Sequence, residues 1–168
     1  LKSIAKHEVN VTKRGPTSIP QMEHGFRRYS CGSPNEVLRE ACQELLFFFG
    51  ARGGEFLDTG SERLVRSRIL RGCDVRARRN GTEISRFADA DEVLLYFRES
   101  KTDPSGVGCW RAQGTTGSDL CPVQALARLQ ELFPERFDQG SPEAFLPLFR
   151  KEDGKVLTRN EMAMHIKV

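Results

Sequence analysis

Ser33-Pro34-Asn35-Glu36-Val37-Leu38-Arg39-Glu40-Ala41-Cys42-Gln43-Glu44-Leu45-Leu46-Phe47-Phe48-Phe49-Gly50-Ala51-Arg52-Gly53-Gly54-Glu55 opens with a helix start signal and closes on glycines. Ser33 and Glu36 stand at capping-box spacing, and Pro34 occupies the first helical position, where a missing N–H costs nothing. Val37, Leu38, Ala41, Cys42, Leu45, Leu46 and Phe49 recur at helical spacing, and Phe47 and Phe48 widen the apolar surface. The stretch predicts a helix buried on most sides, ending near Arg52-Gly53-Gly54.

Downstream, the pattern changes period. Cys73 to Arg79 reads as a short strand, and Asn80-Gly81 is the strongest short-range hairpin dipeptide. Val93, Leu95 and Phe97 alternate with Leu94, Tyr96 and Arg98 as a second strand. Asp103-Pro104-Ser105-Gly106 is a turn, and residues 107–113 return as a third. Pro122 opens another helix, with Val123, Leu126, Leu129 and Phe133 on one face and a stop before Pro134. Residues 134–156 read as a loop-rich connection, and Thr158-Arg159-Asn160-Glu161 is a second capping box. The expected fold class is α+β: a mainly helical core with a small three-stranded antiparallel sheet. Residues 1–32, with Gly15-Pro16 and Ile19-Pro20 and no sustained period, suit a linker or the tail of a preceding domain.

Composition sets outer bounds. The 168 residues fit one domain, and 26 Lys+Arg against 23 Asp+Glu leave a net charge of +3. No window approaches the roughly 18 consecutive apolar residues of a membrane span, and the start lacks a signal-peptide layout. The expectation is a soluble, intracellular protein without a membrane partner. The five cysteines, Cys31, Cys42, Cys73, Cys109 and Cys121, have no pair at zinc-ligand spacing and read as free thiols. His7, His24 and His165 share no metal or nucleophile spacing, so neither a metal nor a cofactor is expected. The chain opens on Leu1 and stops at Val168 within what reads as an unfinished helix, which suggests a fragment of something longer.

Charge is concentrated. Arg63, Arg66, Arg68, Arg71, Arg76, Arg78, Arg79 and Arg86 face only Asp74 and Glu83 within residues 63–86, a local +6 that leaves −3 for the rest of the chain. Such a run is either a solvated face or a phosphate-backbone footprint. Arg52 has two readings as well. It is a surface arginine favoured by the helix dipole, with Gly53 as the left-handed cap, or a placed guanidinium whose fork matches two phosphate oxygens, with Glu55 near enough to orient it. Lys101, where the second strand enters its turn, is a solvated charge or a group that stabilises or protonates a leaving oxygen. Trp110, the one tryptophan, is expected in the core rather than stacked on a base, and Tyr96 is expected to be structural.

In order, residues 47–57 (Phe47 to Leu57), Leu70-Arg71-Gly72-Cys73-Asp74-Val75, Ser100-Lys101-Thr102-Asp103, Leu120-Cys121-Pro122-Val123-Gln124-Ala125-Leu126, Pro147-Leu148-Phe149-Arg150 and Leu157-Thr158-Arg159 resemble the catalytic domain of the phage-integrase (tyrosine recombinase) family, as found in eukaryotic mobile elements. The resemblance spans about residues 34–168, and the order of the six pieces is more specific than any one. It implies a helical catalytic domain with a small antiparallel sheet. It implies that Arg52, followed by Glu55, binds the scissile phosphate and stabilises its pentacoordinate transition state, and that Lys101 protonates the leaving 5′ oxygen.

It further implies double-stranded DNA as partner, homo-oligomers on DNA in the full-length parent, DNA integration or recombination through a 3′-phosphotyrosyl intermediate, no metal, and a nuclear location in a eukaryote. The family's His-x-x-Arg motif and tyrosine nucleophile are not present: His165-Ile166-Lys167-Val168 lacks the arginine, and no tyrosine follows Tyr96. Residues 58–69 resemble an insertion before the first strand. The expectation is therefore a recombinase catalytic domain that is incomplete and inactive as given, with a non-enzymatic DNA-binding remnant using residues 63–86 as the alternative.

Overall fold

A computed structural model describes residues 18–20, 22–23, 32–59, 68–98 and 106–166. In them the chain runs α1 (Pro34–Phe48), α2 (Gly53–Phe56), β1 (Val75–Arg79), β2 (Thr82–Ile84), β3 (Glu92–Phe97), β4 (Cys109–Gly114), α3 (Pro122–Leu132) and α4 (Arg159–Ile166). The α+β class holds: these four helices accompany an antiparallel sheet in the order β2-β1-β3-β4. No described helix is long and apolar enough to cross a membrane.

α1 starts where its capping residues place it. The Glu36 carboxylate accepts the Ser33 backbone N–H at 2.6 Å, and no residue of the helix is fully exposed. Its end differs from the expectation. Gly50, at φ +57°, is the left-handed residue, and Gly50 and Ala51 donate back to Phe47 O and Leu46 O, closing a Schellman motif. Gly53 instead begins α2, so the cap lies three residues earlier than the sequence reading put it.

The sheet has four strands rather than three. The extra one, β2, is the return arm of the Asn80-Gly81 turn, pairing Arg79 with Thr82 and Ala77 with Ile84. Its three residues, Thr82, Glu83 and Ile84, are too few and too polar to show an alternation. Both turn residues have positive φ, 50° and 77°, the type I′ geometry that matches strand twist. β1 begins at Val75, because Gly72–Asp74 forms a 3-10 turn in which Asp74 Oδ2 accepts the Arg71 N–H at 3.0 Å.

One sheet face is the core. Val75 pairs with Leu95 and Ala77 with Val93, all 3% exposed or less, against Leu38, Leu45, Leu126 and Leu129 of α1 and α3. Trp110 departs from the core placement expected of it: it is 46% exposed on the opposite face, in ring contact with Tyr96 at 5.1 Å and under Arg76 at 5.7 Å. The cause lies in the register of β4. Arg111 pairs with Leu95 and Gln113 with Val93, so these polar residues take the inward face and Trp110 the outward one. There Arg111 Nη1 donates to Phe49 O at 3.2 Å and Gln113 Nε2 to Phe48 O at 2.9 Å, supplying donors to carbonyls that the end of α1 leaves without intrahelical partners.

Candidate nucleic-acid interface

Arg52 sits between two locked structures, the Schellman turn behind it and α2 ahead. Its backbone is extended (φ −80°, ψ 145°), and its N–H donates to Glu55 Oε2 at 2.7 Å while Glu55 N–H returns to Arg52 O at 2.8 Å. Glu55 is buried and Arg52 exposed. Glu55 therefore fixes the Arg52 backbone rather than its guanidinium, which makes no hydrogen bond or ion pair with any described residue.

Four of the six sequence pieces meet beneath this turn in a ring of backbone hydrogen bonds. Leu70 N–H donates to Glu55 O and Leu148 N–H to Leu70 O, each at 2.8 Å; Leu157 N–H donates to Phe149 O and Asp58 N–H to Leu157 O, each at 2.9 Å. Arg159 N–H closes onto Asp58 O at 3.1 Å. Inside the ring, Phe56 stacks on Phe149 at 5.4 Å and on Phe97 at 6.1 Å, and Phe97 also meets Phe49 at 6.2 Å. Fully burying one such ring stabilises by about 1.5–3 kcal/mol, so the residues on both sides of Arg52 are firmly anchored. The fifth piece, residues 120–126, starts α3 against α1, and the Cys121 N–H donates to Glu44 Oε2 at 3.1 Å.

Lys101, with the rest of the sixth piece, lies outside the described residues, as do Arg63 and Arg66. The described ends of its connection are Arg98 and Gly106, and the strand pair they extend closes at Phe97 opposite Cys109. Phe97 is thus the base of that connection and packs on both Phe49 and Phe56, which flank Arg52.

Among the described residues of the basic stretch, three arginines face carboxylates. Arg76 Nε pairs with Glu83 Oε1 at 3.0 Å and its Nη1 donates to Cys73 O; Arg78 approaches Glu92 at 3.9 Å and Arg86 approaches Asp89 at 3.5 Å. Arg71 is half-buried, with its amide held by Asp74, Arg68 is engaged, and Arg79 is exposed beside the hairpin turn.

Several structural charges had no forecast. Arg98 grips buried Asp74 with two bonds, Nη2 to Oδ1 at 2.6 Å and Nε to Oδ2 at 3.0 Å, and the Asp74 hydrogen bond raises the arginine's pKa further. Arg136 and Arg150 are 5% and 6% exposed and bond loop carbonyls: Arg136 Nη1 donates to Leu148 O at 3.1 Å and Arg150 Nη1 to Pro147 O at 2.9 Å. Burial pulls Arg136 down to about 10. No sequence signal separates these buried arginines from exposed ones, since each lies in an aperiodic segment. Among the described residues, no group of three or more His, Cys, Asp or Glu side chains is placed to hold a metal. Comparison with known proteins finds no matching family model, no similar curated protein and no similar solved structure.

Proposed function

We propose that this chain is the phosphate-binding part of a tyrosine-recombinase-type catalytic domain acting on double-stranded DNA in integration or recombination. The supporting observation is the turn that carries Arg52, since exposure without a described partner is a property it shares with Arg79. Arg76, Arg78, Arg86 and Arg98 face carboxylates, whereas Arg52 is exposed, without a described partner, on a backbone clamped by Glu55 and Phe56. From so fixed a backbone the guanidinium can present its fork to two oxygens of one phosphate.

In this reading Arg52 holds the scissile phosphate and stabilises the charge that develops on it, and Glu55 is a positioning residue. Lys101 donates a proton to the 5′ leaving oxygen. It follows Arg98 by three residues, a span of at most about 10 Å, and Arg98 adjoins the Phe97 base beside Arg52. Tyr96, the last tyrosine of the sequence, donates its hydroxyl to Val107 O at 2.6 Å on the outer sheet face, so among the described residues no tyrosine is offered to this phosphate as a nucleophile. The parent assembles as a homo-oligomer on DNA, within the nucleus in a eukaryote. The alternative, a DNA-binding protein without chemistry that grips through residues 63–86, draws less support, because carboxylates already face three of those arginines.

The test is a double-mutant cycle on duplex binding with Arg52→Ala and Lys101→Ala. Sharing one phosphate makes the two losses non-additive. Two full, independent losses, or none, contradict a joint phosphate site.

A further inference from the structure

Two carboxylates one turn apart on α1 are buried against α3. Glu40 is 5% and Glu44 1% exposed. Glu44 is well provided for: Arg128 Nη2 lies 2.5 Å from its Oε1, and the Cys121 N–H donates to its Oε2. Glu40 is not, since its Oε1 is buried without any hydrogen-bond partner. Facing Glu40 are the carboxylates of Glu36 and Glu44 on its own helix and Arg128 on α3; facing Glu44 are Glu40, Arg128 and the Cys121 amide. Among the described residues Arg128 bonds Glu44 and acts on Glu40 only through its charge, so when both acids ionise the buried Glu40 carboxylate has no bonded cation.

We infer that Glu40 and Glu44 share a proton across the α1–α3 joint, held chiefly on Glu40, so that the joint is tight when the pair carries one negative charge and loosens when both ionise. The loosening reaches the start of α3, because the Cys121 amide is bonded to Glu44, the acid that then competes with Glu40 for Arg128.

Burial, opposed by Arg128, pushes both acids up from 4.5 to about 7. An acid whose pKa is raised by folding contributes stability that is fully present below its unfolded value and lost as pH rises through the folded one. The window is therefore from about 4.5 to about 7. The inference does not depend on DNA binding, so its failure and the failure of the proposed function are separate.

The experiment follows the glutamate side-chain carboxyls by carbon NMR between pH 4 and 8.5, in wild type and Glu40→Gln, alongside urea unfolding and hydrogen-exchange protection of the Cys121 amide. The expected result is one carboxyl titrating near 7 that disappears in Glu40→Gln. The wild-type unfolding equilibrium constant should rise toward pH 7 by up to about tenfold per pH unit per proton, with Cys121 protection falling in step. The Glu40→Gln variant should lack both trends. A Glu40 carboxyl that titrates below about 5, or a variant with the wild-type pH slope, overturns the inference. If the variant does not fold, the wild-type titration alone decides.

Discussion

Glu55 accepts the backbone N–H of Arg52 at 2.7 Å and makes no ion pair with its guanidinium. A carboxylate three residues after an arginine suggests an ion pair; here it serves as the cap of a four-residue helix, and among the described residues no carboxylate pairs with the Arg52 charge. Glu55→Ala strands the Arg52 amide and should destabilise the chain by about 1–2 kcal/mol in urea unfolding. Glu55→Gln, which keeps an acceptor at that point, should stay within about 0.5 kcal/mol of wild type. Equal losses for the two variants would show that charge, not capping, is what Glu55 contributes.

Asp74 and Arg98 differ in burial, with side chains 4% and 32% exposed, and this sets an order of damage. Arg98→Ala leaves a buried carboxylate held by the Arg71 amide and a long Cys73 thiol contact and should cost about 3 kcal/mol. Asp74→Ala leaves a guanidinium that can turn to water and should cost less. The reverse order in chemical denaturation would show that the pair is not organised around the buried acid.

Glu161 governs the acid limb. Partial burial works to raise its pKa, but Lys151 Nζ at 2.8 Å and the Thr158 N–H and hydroxyl, each at 2.8 Å, hold it down at about 2. A carboxyl depressed by folding contributes stability above its unfolded pKa of 4.5 and loses it as pH falls toward 2. Thermal melts of Glu161→Gln from pH 2 to 5 should show a flatter rise of Tm with pH than wild type. Parallel curves would remove Glu161 from the acid limb.

Much of the frame was readable because it rests on local chemistry. The helix starts at Ser33, Pro122 and Thr158, the Asn80-Gly81 hairpin, and the strands around Val93 and Val75 each announce themselves within a few residues. Errors arose where a distant group decided the outcome. Trp110 faces solvent because Arg111 and Gln113 are needed inside, at carbonyls more than sixty residues earlier in the chain. Arg52 was legible as a candidate, but the role of Glu55 as a backbone cap depends on α2, whose four residues carry no period. Glu40 and Glu44 did leave a trace: two acids four apart in a helix where Phe47 and Phe48 extend the apolar surface around them.

The most direct measurement is the salt dependence of duplex DNA binding by wild type and Arg52→Ala, each checked for unchanged folding. If Arg52 holds a phosphate, wild-type log K falls linearly with log salt concentration, and the variant binds more weakly with a slope shallower by about 0.9, the share of one phosphate contact. Identical slopes and affinities in the two proteins, or no binding by wild type at any salt concentration, would contradict the assignment of Arg52 to a DNA phosphate.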